Sequence, residues 1–171
     1  MDYYQGVVVE YLRADRSLFI NTEYCIQLKE GNPDVGGPNS NWYCDAVAIR
    51  PGSNSIFLCE ISYAKTMYDL RRRLEAWNEN WQGVHDALIR DSKLKEEWSV
   101  RPWLFVPQDE DGKQCAKKLV NSLKEIQNGI GLKFTPLITT LEMVQPWKYP
   151  YDRKGERIEL KPDFIPVEWR G

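Results

Sequence analysis

The chain is poor in several of the things that would make a sequence easy to classify. It has one histidine, His85, and four cysteines (Cys25, Cys44, Cys59 and Cys115) that fall in no paired spacing. This argues against a zinc ribbon, a redox pair or a disulfide framework. Three of the cysteines sit inside strand-like apolar segments, where a thiol acts as a small hydrophobe, so all four are expected to be reduced and mostly buried. No apolar run approaches the roughly 20 residues needed to span a bilayer. The opening Met1-Asp2-Tyr3-Tyr4 lacks a basic stretch followed by an apolar one, which predicts no signal peptide, no membrane partner and a cytoplasmic location. Excess charge is missing too: 23 basic against 25 acidic residues leave a net charge of −2. Such a balance gives no support to indiscriminate binding of nucleic acid, while leaving a local basic groove open. Internal repeats and low-complexity segments are absent.

What is present fits one α/β domain over residues 1–171, with a core over about 2–144 and a C-terminal tail over 145–171. The length suits one domain, and 42% hydrophobic with 28% charged residues is a globular profile. Residues 2–15 place Tyr4, Val7, Val8, Tyr11 and Leu12 on one helical stripe, with Glu10 at its edge. Residues 18–29 are rich in aromatic and β-branched types and predict a strand. A Gly/Pro-rich loop follows over 30–41. Residues 42–50 and 56–63 are short apolar runs separated by Pro51-Gly52-Ser53-Asn54-Ser55, which predicts a hairpin. Leu70, Leu74, Trp77, Trp81, Val84 and Leu88 then mark one long amphipathic helix, with Arg71, Arg72, Glu75, Glu79 and Asp86 opposite. A strand over 101–108 carries Pro102 and Pro107, which confine its pairing. A helix over 113–127 closes at Gly129 and Gly131, and a last strand covers 133–144. Trp147, Tyr149, Tyr151, Phe164 and Trp169 anchor a wrapping tail. The order α-β-β-β-α-β-α-β predicts a mixed central sheet flanked by helices.

Two acids interrupt the hairpin arms: Asp45 in Cys44-Asp45-Ala46-Val47-Ala48-Ile49, and Glu60 in Phe57-Leu58-Cys59-Glu60-Ile61. If the turn centres on Gly52-Ser53, residue 45 faces residue 60 across the antiparallel pair. Directly opposed side chains have Cβ atoms roughly 4.5–5.5 Å apart, so two ionised carboxylates there repel each other and lose hydration. A nearby cationic side chain, a shared proton or a bound cation would relieve them. Arg50, Lys65 or an arginine of the following helix is the side-chain candidate. A hard divalent cation is the ion that two carboxylates suit.

These residues resemble the PD-(D/E)XK, or restriction-endonuclease-like, nuclease superfamily. Its core of helix, three strands, helix and strand is similar to residues 2 to about 108, the N-terminal two-thirds of the chain. Asp45 matches the first acidic ligand and Glu60, in Glu60-Ile61-Ser62, the second. Many members add a glutamate from the opening helix, where Glu10 falls. The chain departs from the pattern at the motif lysine, whose place is taken by Ser62. Lys65, three residues on, is the substitute expected to swing back, with Lys29 a second candidate. Pro33-Asp34 only looks like the motif's name. The resemblance implies metal-assisted phosphodiester hydrolysis of DNA or RNA. Glu10, Asp45, Glu60 and the Ile61 carbonyl would bind Mg²⁺ or Mn²⁺, Lys65 would orient water or offset charge, and Ser62 would hold a water. A homodimer stays open.

Other residues have plainer readings. His85 reads as a surface or edge residue, Trp77 and Trp81 as core, and Ser62 lacks the partner of a serine nucleophile. Arg71-Arg72-Arg73 and Lys113, Lys117, Lys118 and Lys124 are phosphate contacts or simply solvated charges. Asp109-Glu110-Asp111 reads as a solvated loop, and Glu23 is a further acid whose face is undetermined. Two rivals stand beside the nuclease. One is a catalytically silent nuclease-fold protein that binds nucleic acid or protein. The other is an immunity-type interaction protein that turns a flat acidic surface to a basic partner.

Overall fold

A computed structural model describes residues 3–28, 42–110, 112–144 and 162–171. Their order is α1 (Tyr3–Ala14), β1 (Phe19–Cys25), β2 (Tyr43–Arg50), β3 (Ser55–Ile61), α2 (Tyr68–Glu79), α3 (Trp81–Ser92), β4 (Ser99–Val106), α4 (Cys115–Gly129), β5 (Leu137–Thr140) and α5 (Leu141–Val144). The five strands form one mixed sheet in the order β1-β2-β3-β4-β5. β2 runs antiparallel to both of its neighbours, β1 and β3, whereas β3, β4 and β5 run parallel. Helix α2-α3 and helix α4 supply the crossovers that parallel neighbours require. No helix among the described residues is long and apolar enough to cross a membrane.

Strand alternation sends side chains to two cores. On one face Ile56, Leu58, Leu104 and Val106 pack against Leu70, Leu74, Trp77, Val84, Leu88, Leu119 and Leu123 of α2, α3 and α4. On the other, Ala46, Ala48, Phe57, Cys59, Trp103 and Phe105 meet Val8 and Leu12 of α1 and Leu141 of α5. The result is three layers, helices on both sides of the sheet. Pro102 lies opposite Leu58, ahead of Trp103, where the pairing of β4 with β5 begins. It therefore withholds no bond from that second ladder.

Three expectations change. The long helix is two helices, broken at Asn80. There the backbone N–H and the side-chain amide both donate to the Ala76 carbonyl, at 3.2 and 3.0 Å. The backbone bond is the ordinary helical one, and the side-chain amide shares its acceptor while the Asn80 backbone leaves the helical region at φ −108°, ψ 23°. The last strand is shorter than expected, Leu137–Thr140, and turns directly into α5. The first strand ends at Cys25, and Lys29 and Pro33-Asp34 lie outside the described residues, as do Asp111, Trp147, Tyr149 and Tyr151. Of the tail, Ile165 and Trp169 are buried in the core beside α2, α3 and α4, and Arg170 forms a bridge with Ile138 of β5. All four thiols are free, three of them buried.

Candidate functional site

The site grows out of the hairpin register. Ala46 pairs with Cys59 and Val47 with Leu58, so the positions that follow are Asp45 and Glu60, at the open end of the ladder. Asp45 sits half-buried where regular pairing stops. Its Oδ2 accepts the Ile61 backbone N–H at 2.7 Å, and its Oδ1 accepts the Gln5 side-chain amide at 2.6 Å. One carboxylate thereby ties β2 to the end of β3 and to the first turns of α1. Two N–H donors on an acid are a strong arrangement, because bonds to a charged acceptor exceed neutral ones.

Glu60 is in a different situation. Its side chain is 3% exposed, and its Oε2 accepts Nη1 of Arg73, which reaches down from α2. Its Oε1 is buried and has no hydrogen-bond partner, and neither has Nε of Arg73. Burial pushes the Glu60 carboxyl up to about 8; Arg73 pulls against this rise and the Asp45 charge adds to it. At neutral pH the group therefore favours its protonated form, with Oε2 still accepting from the guanidinium. The neighbouring thiols feel the same burial and the same acids. Cys44 and Cys59 are held well above the ordinary thiol range, chiefly by burial and then by Glu60, so neither supplies a thiolate nucleophile.

The other residues singled out in the sequence lie around this pair in different ways. Ser62 is half-buried, donates its backbone N–H to the Phe105 carbonyl at 2.9 Å, and accepts the Ala64 N–H on its hydroxyl at 3.4 Å. Lys65 stands exposed in the turn before α2, its carbonyl accepting the Cys115 thiol at 3.8 Å. Glu10 is exposed on α1 and is bound by Arg13 at 2.9 Å, one turn along the same helix. That helix brings Gln5 to the acids, and Glu10 points to the solvent side. Among the described residues no group of three or more His, Cys, Asp or Glu side chains gathers as a cation cage. Glu23 is exposed on the edge strand at φ 56°, and His85 sits half-buried beside the Trp98 carbonyl.

Gln5 is absent from the sequence expectations, and Arg73 enters them only within Arg71-Arg72-Arg73 and, unnumbered, as an arginine of the helix after the hairpin able to neutralise the acids. Their signal is a shared one. Gln5, Val8, Val9 and Leu12 follow the i, i+3, i+4, i+7 spacing, as do Leu70, Arg73, Leu74 and Trp77. In each set the three apolar members are buried, so the polar member is carried to the sheet with them. No family model, curated protein or solved structure matches this chain.

Proposed function

We propose that this protein is a divalent-cation-dependent phosphodiesterase of the PD-(D/E)XK type acting on DNA or RNA. The reading is supported by the element order, by the antiparallel-then-parallel sheet, and by acids on its second and third strands. The observation that carries it is Glu60 Oε1, a buried oxygen with no partner, on an acid that feels the Asp45 charge. A hydrogen-bonding vacancy of this kind is costly unless something fills it. The donor set fits Mg²⁺ or Mn²⁺. Both side chains are hard oxygen donors, and Mg²⁺ is commonly held by one or two carboxylates with waters and substrate phosphates completing its shell. Asp45 and Glu60 would hold it, with the Ile61 carbonyl as a further oxygen. Bound there, it would supply a water of lowered pKa and charge neutralisation at the phosphate.

The chain's own residues do the rest. Gln5 and the Ile61 N–H fix the Asp45 carboxylate in one orientation. Glu60 must release its proton before it can act as an anionic ligand, so binding at neutral pH liberates H⁺. Arg73 is a permanent cation at the acids, positioned to offset charge on a phosphate once Glu60 is otherwise engaged. It would take over the task that Ser62 cannot perform.

A second reading has its own observation, the Arg73–Glu60 contact itself. If the guanidinium is the permanent occupant, the protein is a catalytically silent member that binds nucleic acid or protein. Titration with Mn²⁺ separates the two. The nuclease reading expects thermal stability to rise with metal, by about 2.7 kcal/mol at 100 times Kd, together with metal-dependent cleavage of DNA or RNA. Both should vanish in Glu60→Ala. Unchanged stability and no cleavage at millimolar Mn²⁺ would leave the silent module standing.

A further inference from the structure

Tyrosines edge the acidic end of the sheet. Among the described residues eight large hydrophobic side chains are exposed, and four of them are Tyr3, Tyr43, Tyr63 and Tyr68. Each stands within five positions of a residue that builds the acid site: Tyr3 of Gln5, Tyr43 of Asp45, Tyr63 of Glu60 and Tyr68 of Arg73. Exposed apolar side chains scattered singly are ordinary; a gathering of them at one site marks something that binds there.

The rings are set by the bonds that hold the acids. Asp45 accepts from Gln5 of α1 and from the Ile61 N–H at the end of β3, which brings the start of that helix to the end of that strand. Tyr4 and Tyr63, the neighbours of these two donors, stack at 4.8 Å between centroids and 22° between planes. Tyr3 meets Tyr4 edge-on at 5.4 Å and 78°. Tyr63 is still 48% exposed and Tyr3 60%. Since Tyr4 covers one face of Tyr63, the exposed area lies on the side turned away from it.

Residues 63–73, which lead from Tyr63 into α2, carry Lys65, Arg71, Arg72 and Arg73 against one acid, Asp69. Glu75 and Glu125 hold Arg71, at 2.8 and 3.5 Å, and Glu60 holds Arg73. Arg72 is exposed and lies over the Tyr68 ring at 5.9 Å, with no carboxylate at ion-pair distance among the described residues. A cation beside exposed rings is the pairing that takes a backbone phosphate and its base together.

The inference rests on the phosphodiesterase reading and narrows its substrate. The geometry points to unpaired nucleic acid, with bases stacked on Tyr63 and Tyr3 and the backbone met by Arg72. Bases within a duplex are covered on both faces by their neighbours, whereas an unpaired base can turn a face to a ring. Stacking accepts any base, so the binding is sequence-independent.

Fluorescence anisotropy of the full chain in EDTA tests the assignment. The probes are a labelled DNA strand of about 16 nucleotides, its RNA counterpart, the DNA strand annealed to its complement, and an abasic strand of equal length. The DNA or the RNA strand should bind at least about tenfold tighter than the duplex and the abasic strand, as one or two stacked bases imply. Tyr63→Leu should weaken that strand about tenfold, while Tyr63→Phe, which keeps the ring, should bind it like the wild type. Tyr3→Ala, at the exposed start of α1, reads the same loss if the Leu variant fails to fold. Arg72→Gln should lower the salt slope by about 0.7.

Cleavage in Mn²⁺ separates the two readings. Strand binding of this kind without cleavage would sink the enzyme and keep the inference; cleavage with a duplex bound as tightly as the strand would do the reverse. The inference is also overturned if neither strand binds saturably, if the abasic strand binds as tightly, if both tyrosine variants bind unchanged, or if Arg72→Gln leaves the slope as it was.

Discussion

The two ends of the β2–β3 ladder solve opposite electrostatic problems. At the open end, Glu60 is buried with one cation against it, and burial outweighs that cation, so the carboxyl keeps its proton to about pH 8. At the turn end, Asp15 is exposed, and its carboxyl lies below the ordinary range because Ser17 donates to it from hydroxyl and backbone and Arg50 lies beside it. The same residue class is thus pushed in contrary directions within one sheet. Depth, more than the presence of an arginine, decides the sign.

That contrast breaks most visibly with pH. The folded Glu60 binds its proton more tightly than the unfolded chain does. Its contribution is therefore complete below about pH 4.5 and is lost as pH rises through about 8. In chelator, stability measured by urea unfolding should fall across this window by on the order of 1 kcal/mol per pH unit. Glu60→Gln should flatten the fall, and an equally steep decline in that variant would show that another group is responsible. Asp15 has the reverse sign, its contribution being present above the ordinary carboxylate range and lost as pH drops through its lowered value.

Next in size is the cation itself. Arg73→Ala removes the donor to a buried carboxyl, and should cost about 2 kcal/mol near pH 6. The loss should grow above pH 8, where Glu60 would ionise unpaired. A variant as stable as the wild type at both pH values would mean that the contact contributes nothing. The smallest effect belongs to the exposed end. Asp15→Asn should change stability by less than about 1 kcal/mol, and salt should erase the difference, because exposed ion pairs are weak and screened. A loss comparable to that of Arg73→Ala would collapse the distinction between the ends.

Much of this frame was legible from residue patterns. The stripe Leu70, Leu74, Trp77, Val84 and Leu88 is buried as its spacing requires, and the turn at Gly52-Ser53 sets the expected hairpin register as far as Ala46 and Cys59, the neighbours of Asp45 and Glu60. The helix break was not, because the apolar periodicity runs unbroken across Asn80, whose backbone turns out of the helical region at φ −108°, ψ 23°. The stripe of α1 was misplaced slightly: Val9 is buried, whereas Tyr11 is 39% exposed. One residue of rotation was enough to send Glu10 to solvent and to bring Gln5 to Asp45.

By itself, the order of residues determined the alternating core and the hairpin, because these follow from periods of 2 and 3.6 and from turn chemistry acting over a few residues. Only the tertiary structure decided which of three consecutive arginines meets Glu60, which helix turn supplies an amide to Asp45, and which tyrosines gather at that end of the sheet. Those choices depend on how layers of the fold come together across tens of residues, and a difference of one position around a helix reverses them.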